Sequence, residues 1–217
     1  MPAVENTPGN KPAYAEEEPA RVLRHMIMSV SADIDPLFAS KLYALLSREQ
    51  FTEVAFELML AAASGKTTMS SADIGALRPI VATSNVPAAL LETLRPHDRP
   101  ASRMRIVART SGSDDVDVTA VDAAAVVTAI TVAPARKLWA GRWVTRHSGV
   151  AIGPAYLVDF AAGTPERTLA DGVHRLCARL HTRTCLKFSL GGRLEGEQLC
   201  PYQRDLLMVG DVLWTRC

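Results

Sequence analysis

Nine arginines in three runs are the residues of this chain whose spacing best suits binding to phosphate groups. In one run an arginine occurs at every fourth position from Arg175, which places these arginines along one face of a helix. A strand would carry the run that begins at Arg103 on one face, because alternate side chains of a strand share a face. The candidate nucleic-acid-binding residues are Arg99, Arg103, Arg105, Arg109, Arg142, Arg146, Arg175, Arg179 and Arg183.

The third run mixes basic and aromatic side chains. Trp139 and Trp143 interleave with Arg142 and Arg146, a pattern that suits base stacking together with phosphate contacts. Taken singly, each run is more simply a solvated surface, and each tryptophan a core residue. Taken together, the three runs make nucleic acid a candidate partner.

Histidines and cysteines form a second group with helical spacing. His174, Cys177, His181 and Cys185 fall broadly on one side of a continuous helix, and imidazole and thiolate are zinc ligands. The spacing matches no common zinc module, and Cys177 also falls in an apolar stripe, where a buried thiol is ordinary core. We therefore predict no metal, no cofactor and no specific catalytic residue.

The segment Ser64–Thr68, with the sequence SGKTT, contains the end of a phosphate-loop pattern. That pattern needs a glycine five positions before Gly65, where this chain has Leu60. The residues before it also have the periodicity of a helix rather than of a strand. The preferred interpretation is a helix that ends at Gly65.

The N-terminal half has the apolar periodicity and the end signals of successive helices. Its clearest helix is expected over about Arg48–Ala63. The expected start signals are Pro19, Asp35-Pro36, Ser47 with Gln50 as a capping box, Ser70 with Asp73, and Asn85, and the expected ends are Gly65 and Pro79.

The pattern changes near residue 97. Met104–Val107 and Val116–Val121 are rich in β-branched residues and flank a turn, which predicts a hairpin. Asp122–Val132 fits either a helix or a buried strand. The remaining expectations are a helix over Ala135–Thr145, a strand over Val150–Phe160, a helix from Thr164-Pro165 to about His181, a hairpin over Cys185–Leu199 and a short helix from Pro201 to Gly210.

These patterns predict a mainly α protein with a smaller mixed α+β C-terminal part. Helices fill the N-terminal half, and antiparallel hairpins lie in the C-terminal half. We divide the chain into an extended N-terminal arm over residues 1–18, a helical region over 19–96 and a mixed α+β region over 97–217. The last two regions are long enough together to share one core.

The arm has too little apolar surface to offset the entropy of ordering it, so its order would need a neighbouring subunit or another partner. Charge is also distributed unevenly along the chain. Residues 1–60 contain five Lys/Arg and nine Asp/Glu, whereas residues 95–146 contain nine Lys/Arg and five Asp/Glu. This asymmetry permits head-to-tail self-association or a basic face for an anionic partner.

Nothing in the sequence indicates a membrane protein or a secreted one. The acidic N-terminal region lacks the apolar segment of a signal peptide, and the weakly polar run Ala123–Ala135 is too short to cross a bilayer. An even number of cysteines, here four, does not by itself make a disulfide framework in a chain of this length. We expect a soluble, intracellular protein with reduced thiols and no membrane contact.

These observations favour a structural or assembly protein that forms homo-oligomers through residues 1–18. In its concrete form it would package nucleic acid, as a viral coat or nucleocapsid subunit does within a virion. One alternative is an accessory subunit that is held in a larger complex by protein contacts alone. Another is a small enzyme whose site lies in the C-terminal half, around His147, His174 or Cys185.

Overall fold

The computed structural model describes residues 14–30, 34–97, 104–108, 118–132, 135–145, 148–149, 151–181, 199 and 201–216. Across these residues the N-terminal half is helical, and the C-terminal half contains a four-stranded antiparallel sheet together with further helices. The predicted fold class, mainly α with a mixed α+β C-terminal part, is confirmed.

The N-terminal helices are α1 (Tyr14–Val30), α2 (Pro36–Ser47), α3 (Phe51–Ala63), α4 (Ser71–Ala82) and α5 (Ala88–Thr93). Two of them, α2 and α4, begin where their capping side chains place them. The Asp35 carboxylate accepts a hydrogen bond from the backbone N–H of Leu37 at 2.7 Å, so Asp35 caps α2 as expected. Ser70 and Asp73 form the reciprocal capping box of α4.

The start of α1 corrects the predicted arm. The helix begins at Tyr14 rather than at Pro19, so residues 14–18 are helical and do not belong to an extended segment. Residues 1–13 lie outside the described residues.

Three other boundaries differ from expectation. Ser47 is the last residue of α2, and its hydroxyl donates to the Ala44 carbonyl at 2.9 Å instead of capping α3. The chain turns through Glu49 at a φ of 59°, which delays α3 to Phe51. The helix α4 continues past Pro79 to Ala82, although an interior proline removes a backbone hydrogen bond and its ring clashes with the carbonyl one turn earlier.

The C-terminal half alternates strands and helices. Its elements are β1 (Met104–Val107), α6 (Val118–Thr131), β2 (Ala135–Thr145), β3 (Ala151–Phe160), α7 (Glu166–His181), α8 (Pro201–Val209) and β4 (Asp211–Thr215). The strands β1 and β3 and the helices α7 and α8 lie where the sequence predicted them. The hairpin expected over Cys185–Leu199 falls almost wholly outside the described residues, and β4 was not predicted.

The strand β2 is the centre of the sheet. One side of β2 pairs with β3 along nearly its whole length. The other side pairs with two strands in succession, β1 opposite residues 142–145 and β4 opposite residues 137–140. The strands β1 and β4 therefore lie end to end on one side of β2, on either side of the position of Gly141.

Two predictions for the sheet region were wrong. Ala135–Thr145 is the strand β2 rather than a helix, and the helix α6 begins at Val118 within the segment expected to be a strand. A strand covered on both faces lacks the polar–apolar alternation by which strands are identified. One face of the sheet carries Ala140 and its pairing partner Tyr156 of β3, and the Tyr156 hydroxyl donates to Asp122 of α6. The next residue of β2, Gly141, points to the opposite face, where a Cβ would meet Leu206 of α8. Helices therefore cover both faces of β2.

The helix α7 joins the two halves. At its start the buried Glu166 carboxylate accepts two hydrogen bonds from the buried guanidinium of Arg24 in α1, at 2.6 and 3.4 Å. Close packing of α7 near the sheet needs Gly172, because a Cβ there would lie 2.7 Å from Val132 and about 3 Å from Phe160. Buried apolar side chains form one cluster that runs from α1 to α8.

Among the described residues, no helix combines the length and the apolar composition that are needed to cross a membrane.

Candidate functional site

The nine candidate arginines do not form one described surface. Arg99, Arg103, Arg109, Arg146 and Arg183 lie outside the described residues. Arg105 is exposed on β1, and Arg175 and Arg179 are exposed on α7. Arg142 is buried in the centre of β2.

The basic and aromatic residues of β2 do not form an open stacking surface. Trp143 is 1% exposed and Trp139 is 8% exposed, so both belong to the core. Trp139, Arg142 and Trp143 lie in the central strand of the sheet, where their side chains are buried. Lys137 lies 4.8 Å from the centre of the Trp139 ring, which gives Trp139 a cation–π partner within the protein.

The outer face of α7 carries charges of both signs. Arg175 pairs with Asp171 one turn earlier at 2.7 Å, and Arg167 lies 3.5 Å from Glu49 at the end of α2. Exposed pairs of this kind contribute little to stability. They also reduce the positive potential that Arg175 and Arg179 could present to a phosphate backbone.

The histidine and cysteine predicted on α7 face the core and α2. Nδ1 of His174 lies 3.2 Å from both the hydroxyl and the carbonyl oxygen of Ser40, so His174 links α7 to α2. Cys177 is fully buried one turn away. No group of three or more potential metal ligands occurs among the residues the structure describes. His147 and Cys185 lie outside them, as do the side chains of His181 and Cys200.

Burial raises the pKa of the Cys177 thiol from 9.0 to about 12. The unfolded thiol therefore ionises first, and the stability due to the buried neutral thiol is fully present below pH 9 and is lost as the pH rises toward 12. We expect Cys177→Ala to remove this part of the alkaline decline in the free energy of unfolding. Urea titrations of both proteins below and above pH 9 measure it, and an identical pH dependence would contradict the assignment.

The SGKTT segment is a helix end. The N–H of Gly65 donates to the Ala62 carbonyl at 3.0 Å, and that of Lys66 donates to the Ala61 carbonyl at 2.9 Å. Gly65 adopts a φ of 71°, which completes a Schellman motif at the end of α3. The predicted C-cap is confirmed.

The surface feature that sequence reasoning did not assign to function is the exposed face of α6. This helix has Asp122 as its sole charged residue, and Asp122 accepts a hydrogen bond from the buried Tyr156 hydroxyl at 2.7 Å. Val127 and Ile130 are 54% and 49% exposed. They continue a stripe of small apolar residues that borders a groove of about 680 Å³ between α6 and α7, lined by Ala120, Ala123, Ala124, Val127, Thr128, Ala178 and Arg179.

A second apolar group lies where α8 meets β4. Met208 is 83% exposed, and Val209 and Val212 are 38% and 49% exposed. The other end of β4 is held against α6, since the Arg216 guanidinium donates to the carbonyls of Ile130 and Val132 at 3.1 and 3.3 Å. These two apolar groups lie on opposite faces of the sheet, on either side of its edge strand β4, and we call them together the α6–β4 surface. Its members are Val127, Ile130, Met208, Val209 and Val212.

The sequence contains a signal for this surface. The weakly polar run Ala123–Ala135 is too short for a membrane span, and most of it lies in α6. A helix that is apolar on all sides has more apolar surface than one neighbouring layer can cover, so part of it remains exposed or meets a partner.

Among the described residues, the groove between α6 and α7 is lined by neither histidine nor cysteine. Comparisons with protein-family models, with curated proteins and with solved structures found no match to this chain.

Proposed function

We propose that this protein is a self-associating structural subunit and that a second copy docks on the α6–β4 surface. The observation that carries the proposal is the distribution of exposed apolar side chains. Seven large apolar side chains are exposed among the described residues, and five of them belong to this surface. Apolar side chains exposed on both sides of an edge strand are candidates for contact with another chain.

The geometry of β4 adds a second reason. This five-residue strand hydrogen-bonds to β2 and to no other described strand. A strand with one unpaired side offers backbone donors and acceptors to another chain. A second copy could therefore gain both backbone hydrogen bonds and apolar burial at one place.

The expected strength of association is modest. Full burial of a valine, isoleucine or methionine side chain stabilises by ~1.5–3 kcal/mol. The five side chains are on average roughly half exposed, so each can contribute only about half of this energy when an interface forms. Association itself costs about 4–15 kcal/mol. We therefore expect a reversible equilibrium between monomer and oligomer that depends on protein concentration. In the oligomer, the second copy also fills the groove beside Val127.

Charged substitutions at the surface test the proposal. We expect Val127→Glu combined with Met208→Glu to raise the dissociation constant by at least about tenfold, because the interface would bury two unpaired carboxylates. The matched control is Leu37→Glu combined with Leu60→Glu, which changes exposed apolar side chains on α2 and α3. Sedimentation velocity over a concentration series measures both. Equal effects of the two double variants would exclude the α6–β4 surface as the interface.

The proposed contact on the α6–β4 surface does not include residues 1–18. Since Glu16–Glu18 belong to α1, residues 1–13 retain one acidic and one basic side chain, Glu5 and Lys11. The acidic character that favoured docking of an arm on the basic region of a neighbour is therefore not a property of residues 1–13.

Packaging of nucleic acid is a second candidate, and Arg175 and Arg179 on successive turns of α7 favour it. We expect Arg175→Ala with Arg179→Ala to weaken binding to single-stranded RNA and to reduce the slope of log affinity against log salt by about 1–2. Arg48→Ala with Arg78→Ala, at exposed positions on the N-terminal helices, is the control. RNA affinity that is unaffected by the α7 variant would remove this candidate, and with it the viral-coat form of the function.

The two alternatives receive less support. An accessory subunit would use the same α6–β4 surface for a different protein, and the isolated chain would then stay monomeric. An enzyme would need reactive groups in a cleft, whereas Cys177 is buried with a raised pKa and His174 is engaged with Ser40.

A further inference from the structure

The exposed face of α6 is a narrow stripe whose spacing is that of a contact between two helices. Its members share exposure to solvent and the absence of charge, and they are Ala120, Ala123, Val127, Ile130 and Thr131. The first four follow one another at intervals of three, four and three residues, the spacing by which a helix presents one seam to a second helix. The stripe lies opposite the buried residues Val121, Ala125 and Ala129, which pack against the body of the protein.

Small and large side chains are separated along this stripe. Its N-terminal part carries Ala120 and Ala123, and its C-terminal part carries Val127 and Ile130, which are about half exposed. The two alanines border the groove between α6 and α7, whose α7 side includes Ala178. The stripe therefore has a recess at one end and projecting apolar side chains at the other.

The polar groups beside the stripe do not oppose its burial. The Thr128 hydroxyl donates to the Ala124 carbonyl at 2.7 Å, and the Thr131 hydroxyl donates to the Thr128 carbonyl at 2.7 Å. Covering these two hydroxyls therefore leaves neither of them with an unpaired donor. The charged residue that lines the groove, Arg179, is exposed, so its stem can cover apolar surface while its guanidinium stays in water.

The stripe is complementary to itself when two copies of α6 run antiparallel. A two-fold axis at the level of Ala125 lies two residues from both Ala123 and Val127, which is about 3 Å along the helix. The same axis lies five residues from both Ala120 and Ile130, which is about 7.5 Å. The axis exchanges the two ends of the stripe, so each large side chain faces an alanine of the other copy.

We propose that two copies of this chain associate through α6 about a two-fold axis, with Val127 over Ala123 and Ile130 over Ala120 of the second copy. This inference rests on the proposed self-association and specifies how the α6 part of the α6–β4 surface is used. The match of large to small side chains within one stripe selects a second copy over a different protein. The contact is isologous, since the same patch serves both copies, and it closes at a dimer.

Exchanging a large and a small side chain across the contact tests this register. Val127→Ala leaves a cavity against Ala123 of the second copy, and Ala123→Val overfills the same place. We expect each change to raise the dissociation constant of the dimer by about tenfold. The combined variant again places one large side chain against one small one, so its dissociation constant should lie within about threefold of the parent value. Sedimentation equilibrium of the parent chain and the three variants measures these constants.

Two further variants make the result specific. Leu60→Ala, which shortens an exposed apolar side chain on α3, should not rescue Ala123→Val. The pair Ile130→Ala with Ala120→Val should show the same rescue, and it replaces the first pair if circular dichroism shows that one of those variants is unfolded. Self-association of the parent with additive losses, about a hundredfold in the combined variant, would overturn this register and leave the proposed function standing. A parent chain that stays monomeric would overturn both.

Discussion

Replacing Glu166 by alanine should lower the free energy of unfolding by about 3–5 kcal/mol. Glu166 and Arg24 are 3% and 1% exposed, and two hydrogen bonds join their side chains. The variant would leave the Arg24 guanidinium buried beside Met28 without its carboxylate partner, and an uncompensated buried charge is costly. Urea denaturation followed by circular dichroism measures the change.

Two controls make this result specific to the buried pair. Lys41→Ala removes a pair of similar length, Lys41–Glu57 at 2.7 Å, whose side chains are solvent-accessible, and should cost about 0–1 kcal/mol. Combining Arg24→Met with Glu166→Leu removes both charges and should recover most of the stability. If Glu166→Ala cost no more than Lys41→Ala, the join between α1 and α7 would not depend on this pair.

Replacing Leu206 by alanine should cost about 2–5 kcal/mol, the range for a fully buried leucine. Leu206 fixes α8 on the sheet directly over Gly141, at the place where β1 ends and β4 begins. Met208 lies two residues later on the same helix and is 83% exposed, so Met208→Ala should change stability by no more than about 0.5 kcal/mol. Similar costs for the two would contradict this placement of α8.

A double-mutant cycle tests the contact itself. A Cβ at Gly141 would lie 2.6 Å from Cδ1 of Leu206 and 2.8 Å from Ile106. Gly141→Ala should therefore destabilise the parent protein but do so less in the Leu206→Ala background, where the methyl group fills part of the cavity. We expect a coupling of about 1 kcal/mol or more, and additivity of the two changes would mean that the side chains do not meet.

Helix ends were predictable wherever a side chain caps its own backbone. Asp35 and the Ser70–Asp73 pair make local hydrogen bonds that need no distant partner. Gly65 adopts the left-handed conformation that ends α3 because it has no Cβ. The Ser47–Gln50 pair had the same spacing but failed. There the turn through Glu49 separates α2 from α3, and sequence spacing alone does not reveal such a turn.

The sheet was less predictable, because the environment of β2 is built by distant segments. Strands from both sides of β2 in the chain pair with its edges, and the helices α6 and α8 cover its faces, so its apolar pattern carries no period of two. The candidate site is affected as well, since base stacking would need Trp139 and Trp143 to be exposed, whereas both lie in the core, as the simpler interpretation of each tryptophan expected. The apolar composition of α6 can be recognised in the sequence. Which of its faces remains exposed depends on the packing of α7, which the sequence does not reveal.

The central claim, self-association, is tested most directly by the mass of the unmodified chain in solution. Sedimentation equilibrium over a concentration series should show a mass that rises above that of the monomer, with no nucleic acid needed for the rise. A constant monomer mass over the whole series, with folded protein throughout, would contradict the account.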